Sequence, residues 1–444
     1  MHNIKYIYSN VLLAIALLLI LAAPSRGTDS DSLTVNKAVA LVLRNHPALQ
    51  QAQQRIEASR ALVGSSRSSF YPQVSGNGSY NRIGPVPTVD IPGSGSFSMA
   101  PANNWDFFLG VHQLVYDFGK REKGVDLARS GINTAQDSEG LIKSQLAYAT
   151  VQVFYLILYL QQDIIVIDDQ ISNLNKLLDI TKEKARTGSA TDFDVLTTQV
   201  RVSAAQTRKV DIEKQLNNQI TTLRQLTGLP TDQELIPSGD FTTPVVSPSA
   251  DSLLEQAMKQ RPEMHLAYDA VTTASLQHDL ASLSRRPSLN VGVQLGFKNG
   301  YFPNLGTLKG DFVAGASVSM PIFTGFRIES QEHLTMADMN AARAHTRDVE
   351  RQITAEVRQA IEDLRAGEDK IRTAEIQVRQ AEEALKMAEV RYEAGVITNL
   401  DLLDAQTSVS QARLALIGAR YGYVISKYAL DQATGAPVWD QLTE

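Results

Sequence analysis

Two carboxylates near the C-terminus, Asp401 and Asp404, stand one helical step apart in the first turns of a predicted helix, so both can point the same way. Such a pair either concentrates negative charge on one surface, where it favours cations, or does no more than offset the helix dipole. Asp192 and Asp194 open an earlier helix in the same manner, with Thr197 where the later helix has Asp404. Little else in the chain is suited to chemistry. The seven histidines (His2, His46, His112, His265, His278, His333 and His345) show no HxxxH or paired-carboxylate spacing, which speaks against a metal site. Gly76-Asn77-Gly78 lacks the lysine of a phosphate loop. No cysteine occurs, so there is no disulfide, thiolate ligand or acylated cysteine to hold a lipid. A net charge of -6 without a basic cluster removes the electrostatic support for nucleic-acid binding. Neither a catalytic residue nor a cofactor is expected.

The helices that carry these residues belong to a tandem duplication. Shifted by 207 positions, Val115-Tyr116-Asp117 lands on Ile322-Phe323-Thr324, Gly188 on Gly395, Asp194-Val195-Leu196 on Asp401-Leu402-Leu403, and Thr227-Gly228-Leu229-Pro230 on Thr434-Gly435-Ala436-Pro437. Upstream the shift is 215, so that Asn45-His46-Pro47 meets Gln260-Arg261-Pro262 and Tyr71-Pro72 meets Arg286-Pro287. The length difference therefore lies between Tyr71 and Tyr116. A period this long is a half-protein rather than a solenoid unit, and two halves should sit side by side about a pseudo-twofold. The resulting division is a signal peptide at 1–27, a first repeat at 28–230, a linker at 231–250 rich in Pro and Gly, a second repeat at 251–437 and a tail at 438–444. The signal peptide rests on Lys5, the apolar run Val11 to Ala23 and the small residues at Pro24-Ser25-Arg26-Gly27. That run is shorter than the roughly 20 residues a spanning helix needs.

Each repeat reads as helix, two strands, very long helix, turn, helix. The spacing predicts helices over Asn36 to Ser69, Glu122 to Thr187 and Thr191 to Thr227, then Asp251 to Arg285, Ile328 to Ala394 and Thr398 to Thr434. A long helix spans about 100 Å, and the two shorter ones placed end to end come to about the same, so they can pair along a tube. Val357, Leu364, Ile371, Val378, Leu385 and Tyr392 recur every seven residues, with Ala360, Gly367, Ala374, Ala381, Ala388 and Gly395 three residues behind them. That seam of large against tiny residues lets backbones approach closely. On heptads alone, an antiparallel coiled coil would satisfy the pattern.

The strands exclude a coiled coil as the whole answer. Leu289, Val291, Val293, Leu295 and Phe297 alternate with Ser288, Asn290, Gly292, Gln294 and Gly296; Phe312, Ala314, Ala316, Val318 and Met320 repeat the pattern, as do Trp105, Phe107, Leu109 and Val111, with a weaker strand through Val74 to Tyr80. The predicted strands lie at about 70–84, 104–117, 287–298 and 310–322. Segments of about ten residues with this period, flanked by aromatics, fit a lipid-facing barrel, although a soluble sandwich packed on the helices has the same alternation. A membrane barrel needs at least about eight strands and no open edge, so four per chain imply a homo-oligomer, with three chains supplying twelve. Two turns close the long-helix hairpins, Thr187-Gly188-Ser189-Ala190-Thr191 and Ala394-Gly395-Val396-Ile397-Thr398, with Gly as the left-handed C-cap and Thr as the N-cap.

In the order and duplicated spacing of Asn45-His46-Pro47-Ala48-Leu49, Tyr71-Pro72, Gln113 to Gly119, Pro321 to Gly325, Arg391 to Gly395 and Asp401 to Ala405, the chain resembles the TolC-like outer-membrane efflux proteins over essentially its whole mature length. The resemblance implies a mainly α fold with a membrane β-barrel: a homotrimer with a twelve-stranded barrel in the outer-membrane lipid, continuous with a twelve-helix tunnel in the periplasm. It further implies a passive exit duct for tripartite efflux or type I secretion, docked through a periplasmic adaptor onto an inner-membrane pump of the RND or ABC type. By the same resemblance Asp401, Asp404 and Tyr392 form the pore gate, and the tip residues Gly188, Ala190, Thr191, Gly395, Ile397 and Thr398 meet the adaptor. Ile397 stands where some members carry an arginine of the closing network. The competing reading is a periplasmic coiled-coil scaffold anchored in the outer membrane. Cargo is set by the partners and is not encoded here.

Overall fold

The computed structural model describes residues 33–93, 95–230, 237–241 and 249–437. The expected signal peptide, most of the linker and the C-terminal tail lie outside them. The first set of elements is α1 (Val35–Asn45), α2 (Pro47–Arg67), β1 (Gln73–Arg82), a small hairpin β2 (Thr88–Ile91) and β3 (Gly95–Ser98), β4 (Asn103–Tyr116), α3 (Lys120–Arg186) and α4 (Asp192–Thr227). The second set is α5 (Ala250–Gln260), α6 (Pro262–Leu283), β5 (Ser288–Lys298), β6 (Lys309–Ser319), α7 (Arg327–Glu393) and α8 (Asn399–Thr434). Both long helices have 67 residues and both final helices have 36.

Two sequence expectations need correction. The first helix of each half is broken in two, at His46-Pro47 and at Arg261-Pro262, where His46 and Arg261 are extended. Proline has no N–H and pushes the residue before it out of the helical region, so it starts a new helix at its own first position instead of continuing the old one. Between the first two predicted strands the chain also holds two strands that were not expected, the β2–β3 hairpin, with Val89 opposite Phe97. That hairpin occupies the segment where the first half is longer.

β1, β4, β5 and β6 form one antiparallel sheet in that order. Directly paired residues share a face, and the register collects the apolar ones: Phe107 faces Phe297, Leu109 faces Leu295, which faces Phe312, and Val111 faces Val293. These side chains are exposed. The other face carries Asn77, His112, Asn290, Gln294, Asp311 and Ser317 among glycines. Among the described residues the outer edges of β1 and β6 have no partner.

Below the sheet the helices pack side by side in the order α4, α3, α8, α7, with α2 and α6 continuing the layer upward along α3 and α7. α3 holds a stretch apolar enough by composition to cross a membrane, but Val151, Phe154, Ile157 and Leu158 of that stretch are buried against α1, α4 and α8. The heptad seam of α7 is buried at Val357, Ala360, Leu364, Gly367, Ala374 and Tyr392 and half-buried at Ile371, Val378, Ala381, Leu385 and Ala388, while Gly395 is exposed beyond the helix end. A Cβ added to Gly367 would stand 3.4 Å from the Tyr423 Cα, so the missing side chain sets how closely α8 approaches.

Candidate functional site at the helical hairpin tips

The far ends of the two long-helix hairpins are built alike. α3 ends at Gly188 (φ +81°) and α7 at Gly395 (φ +72°), both in the left-handed region that favours glycine. The last turns close by backbone bonds, with Ser189 N–H to the Lys184 carbonyl at 2.7 Å and Val396 N–H to the Arg391 carbonyl at 2.8 Å. The next helix then opens with a reciprocal cap. Asp194 N–H donates to Thr191 Oγ1 at 3.2 Å while Thr191 N–H donates to Asp194 Oδ2 at 2.9 Å; Asp401 N–H donates to Thr398 Oγ1 at 3.3 Å while Thr398 N–H donates to Asp401 Oδ2 at 2.8 Å.

Asp401 thus serves as a cap, as Asp194 does, and the bonds from the Thr398 hydroxyl and N–H hold its carboxyl below the usual aspartate range. Asp404 is exposed and uncommitted to any cap; its nearest cation is Arg201 on α4, 3.9 Å away. The two carboxylates that spacing groups together therefore have different surroundings. Tyr392 is buried in the lower core with Leu174, Leu178, Leu402 and Leu403. Lys184 Nζ lies 3.8 Å over its ring and donates to its carbonyl at 3.2 Å. Ile397, half-buried, also packs against this core. Thr191 and Thr398 are exposed, and Ala190 is half-buried.

The strongest apolar exposure at the tips comes from residues that sequence reasoning passed over: Phe193 (75%), Val396 (72%) and Leu400. Asn399 was missed as well. It is buried, and its side-chain amide donates to Thr198 Oγ1 on α4 at 2.9 Å. A polar residue at the first position of a capped helix gives no local sign that a second hairpin will cover it. Among the described residues no cluster of His, Cys, Asp or Glu could hold a metal ion.

A four-stranded open sheet with a lipid-like face, joined to paired 67-residue helices, has close counterparts. The outer membrane channel CmeC of Campylobacter jejuni superposes with a TM-score of 0.79 at 18% identity, covering 91% of this chain and 86% of that one. The outer membrane protein VceC of Vibrio cholerae superposes at 0.77 and 20% identity, covering 90% and 96%. The sequence pattern of the outer membrane efflux protein family matches residues 38–229 and 253–436. The chain belongs to that family. Among curated outer membrane efflux proteins and their relatives, the outer membrane protein TolC of Vibrio cholerae is 24% identical over 401 residues, 88% of each chain. The alkaline protease secretion protein AprF of Pseudomonas aeruginosa is 24% identical and covers 89% of this chain and 83% of its own. An outer membrane efflux protein is a channel component and the family is not one of enzymes, so this chain is an outer-membrane protein of mainly helical fold.

Proposed function

We propose that three copies of this chain close into a passive exit duct, a twelve-stranded barrel in the outer membrane continuous with a tunnel of twelve helices in the periplasm. One observation carries this reading: the β1-β4-β5-β6 sheet has an exposed apolar face and two unpaired edges. Unpaired backbone groups are costly in lipid, so β1 of one copy must meet β6 of the next, and the ring closes. The helices support the same closure. α4 and α7 are the flanks of the helical layer, and each presents an exposed apolar stripe: Leu196, Val200 and Val210 on α4, Val390, Met387 and Ile376 on α7. Measured from the tip at 1.5 Å per residue, the α4 residues stand at about 6, 12 and 27 Å and the α7 residues at about 5, 9 and 26 Å. A three-fold ring brings those stripes together.

In this reading the tips ring the periplasmic mouth. Asp404, with Asp401 beside it, forms stacked acidic rings that favour cations at the narrowest point, and Tyr392 anchors α7 behind them. The tip turns Gly188 to Thr191 and Gly395 to Thr398, with Phe193, Val396 and Leu400, meet a periplasmic adaptor that serves an inner-membrane pump. The relatives named for protease secretion and for efflux favour such a tripartite partnership for this chain.

The test is single-channel conductance of the purified protein in planar bilayers, wild type beside Asp401→Ala with Asp404→Ala. Small, cation-selective openings that widen and lose selectivity in the double variant are expected. Conducting trimers with an unchanged double variant would return both carboxylates to capping and leave the duct. Folded, inserted protein that never conducts would leave a scaffold.

A further inference from the structure

We propose that Asn399 is a positioning residue for the mouth: a latch that ties the α7–α8 hairpin to the α3–α4 hairpin within each copy and so sets where Asp401 and Asp404 stand. The inference rests on the gate reading above. Asn399 is 6% exposed, and Thr198 and Thr181, which face it, are fully buried. Its amide donates to Thr198 Oγ1 at 2.9 Å and approaches the Asp194 carbonyl at 3.4 Å, while Thr198 Oγ1 donates to that same carbonyl at 2.8 Å. The Thr181 hydroxyl, committed to the Leu177 carbonyl at 2.8 Å, lies 3.5 Å from Asn399 Oδ1. One side chain at the start of α8 thereby reaches α3 and α4 together, although α4 and α8 otherwise barely touch.

Folding of the hairpin does not call for this arrangement. The matching first position of α4 is Asp192, which is exposed, and that hairpin has the same capping box and the same glycine turn. Nor does burial of apolar surface call for it, since an amide in a core is unfavourable unless its hydrogen bonds are met. What the amide adds is a directional link between two units that are each complete. Near the tips the other polar links across the hairpins among the described residues are Lys184 to the Tyr392 carbonyl and Arg201 to Asp404, the latter between exposed groups and therefore weak. The Asn399 bonds are the shielded ones. They are also exchangeable, because water can replace both partners once the hairpins part. Asn399 precedes Asp401 by two residues in the same first turn, so any movement that breaks the latch carries both carboxylates with it.

The experiment is planar-bilayer recording of the full-length trimer with Asn399→Leu, Thr198→Val, the pair combined, and Thr198→Ser, alongside Asp401→Ala with Asp404→Ala. Loss of the latch should raise the open fraction about three- to tenfold, the range a net hydrogen bond corresponds to. Thr198→Val should match Asn399→Leu, the combined variant should add nothing further, and Thr198→Ser, which keeps the hydroxyl, should behave as wild type. Should Asn399→Leu fail to fold, Thr198→Val carries the test alone. Wild-type open fractions in both latch variants, beside a widened pore in the aspartate variant, would overturn the latch and leave the gate standing. An aspartate variant indistinguishable from wild type would overturn the gate and the latch with it.

Discussion

Thr191 and Thr398 hold matching caps with matching geometry, so Thr191→Ala and Thr398→Ala should each cost about 1 kcal/mol, read as equal losses in thermal or denaturant midpoint. Asp401 adds a pH signature. Its carboxyl is held below the usual range by Thr398, so the stabilisation it gives is complete above the unfolded aspartate value and fades as pH falls through the folded one. Asp163 has the opposite sign. It is buried on α3, its Oδ1 accepts no hydrogen bond and meets only a distant Arg208 at 4.0 Å, and burial pushes its carboxyl upward. The ionised side chain opposes folding at neutral pH, and the penalty disappears as pH falls through the folded value. Asp163→Asn should therefore raise stability at pH 7 by on the order of 1 kcal/mol, with the gap to wild type closing on acidification; melting curves at pH 7 and pH 4 decide it. Asp401 and Asp404 were legible from spacing alone. Asn399, Lys184 and Arg201 were not, because their partners lie on another hairpin and no local pattern announces them.

Long periodic helices were the most legible elements, since the heptad from Val357 to Tyr392 sets the period and Gly188 and Gly395 mark the turns. The strands followed from alternation, and their observed bounds lie within a few residues of the expected ones. The prolines at positions 47 and 262 were visible, but each first helix was read straight through them. The β2–β3 hairpin escaped because four-residue strands without a core leave almost no pattern. Pairing between β4 and β5 depends on Gly296: a Cβ there would stand 2.1 Å from the Phe107 carbonyl oxygen and 2.8 Å from the Phe108 Cα. Gly296→Ala must push these strands apart, an overpacking cost of about 1–3 kcal/mol or more. Gly315→Ala on β6 meets nothing within 4 Å and is the matched control. Detergent-resistant trimers on unheated gels should be lost in the first variant and kept in the second.

At the scale of the whole molecule, the ring makes a prediction that needs no channel activity. The chain has no cysteine, so Val200→Cys with Met387→Cys introduces the sole pair, on flanks at nearly equal depth. Oxidation should give covalent dimers and trimers from the double variant and none from either single one. Uniform monomers from the oxidised double variant, despite a trimeric mass before oxidation, would place the contact elsewhere. The proposed trimer is legible in the sequence only indirectly, through the physical rule that a four-stranded sheet cannot stand alone in lipid.

The sheet order has a consequence in time as well as in space. β4 finds its partner in β5, with Asp106 opposite Lys298, so the whole of α3 and α4 is made between them. A sheet with such distant contacts forms slowly, because loop closure must precede any reward from pairing. A chain threaded out of the cytoplasm end first would present Trp105, Phe107 and Leu109 to water long before Phe297 and Leu295 arrive to stand beside them. In the proposed ring its edges would wait longer still, until two sister chains are at hand. The newborn protein is thus an aggregation hazard during its own biogenesis, and its yield should depend on escorts that shield those strands as much as on the stability of the finished ring.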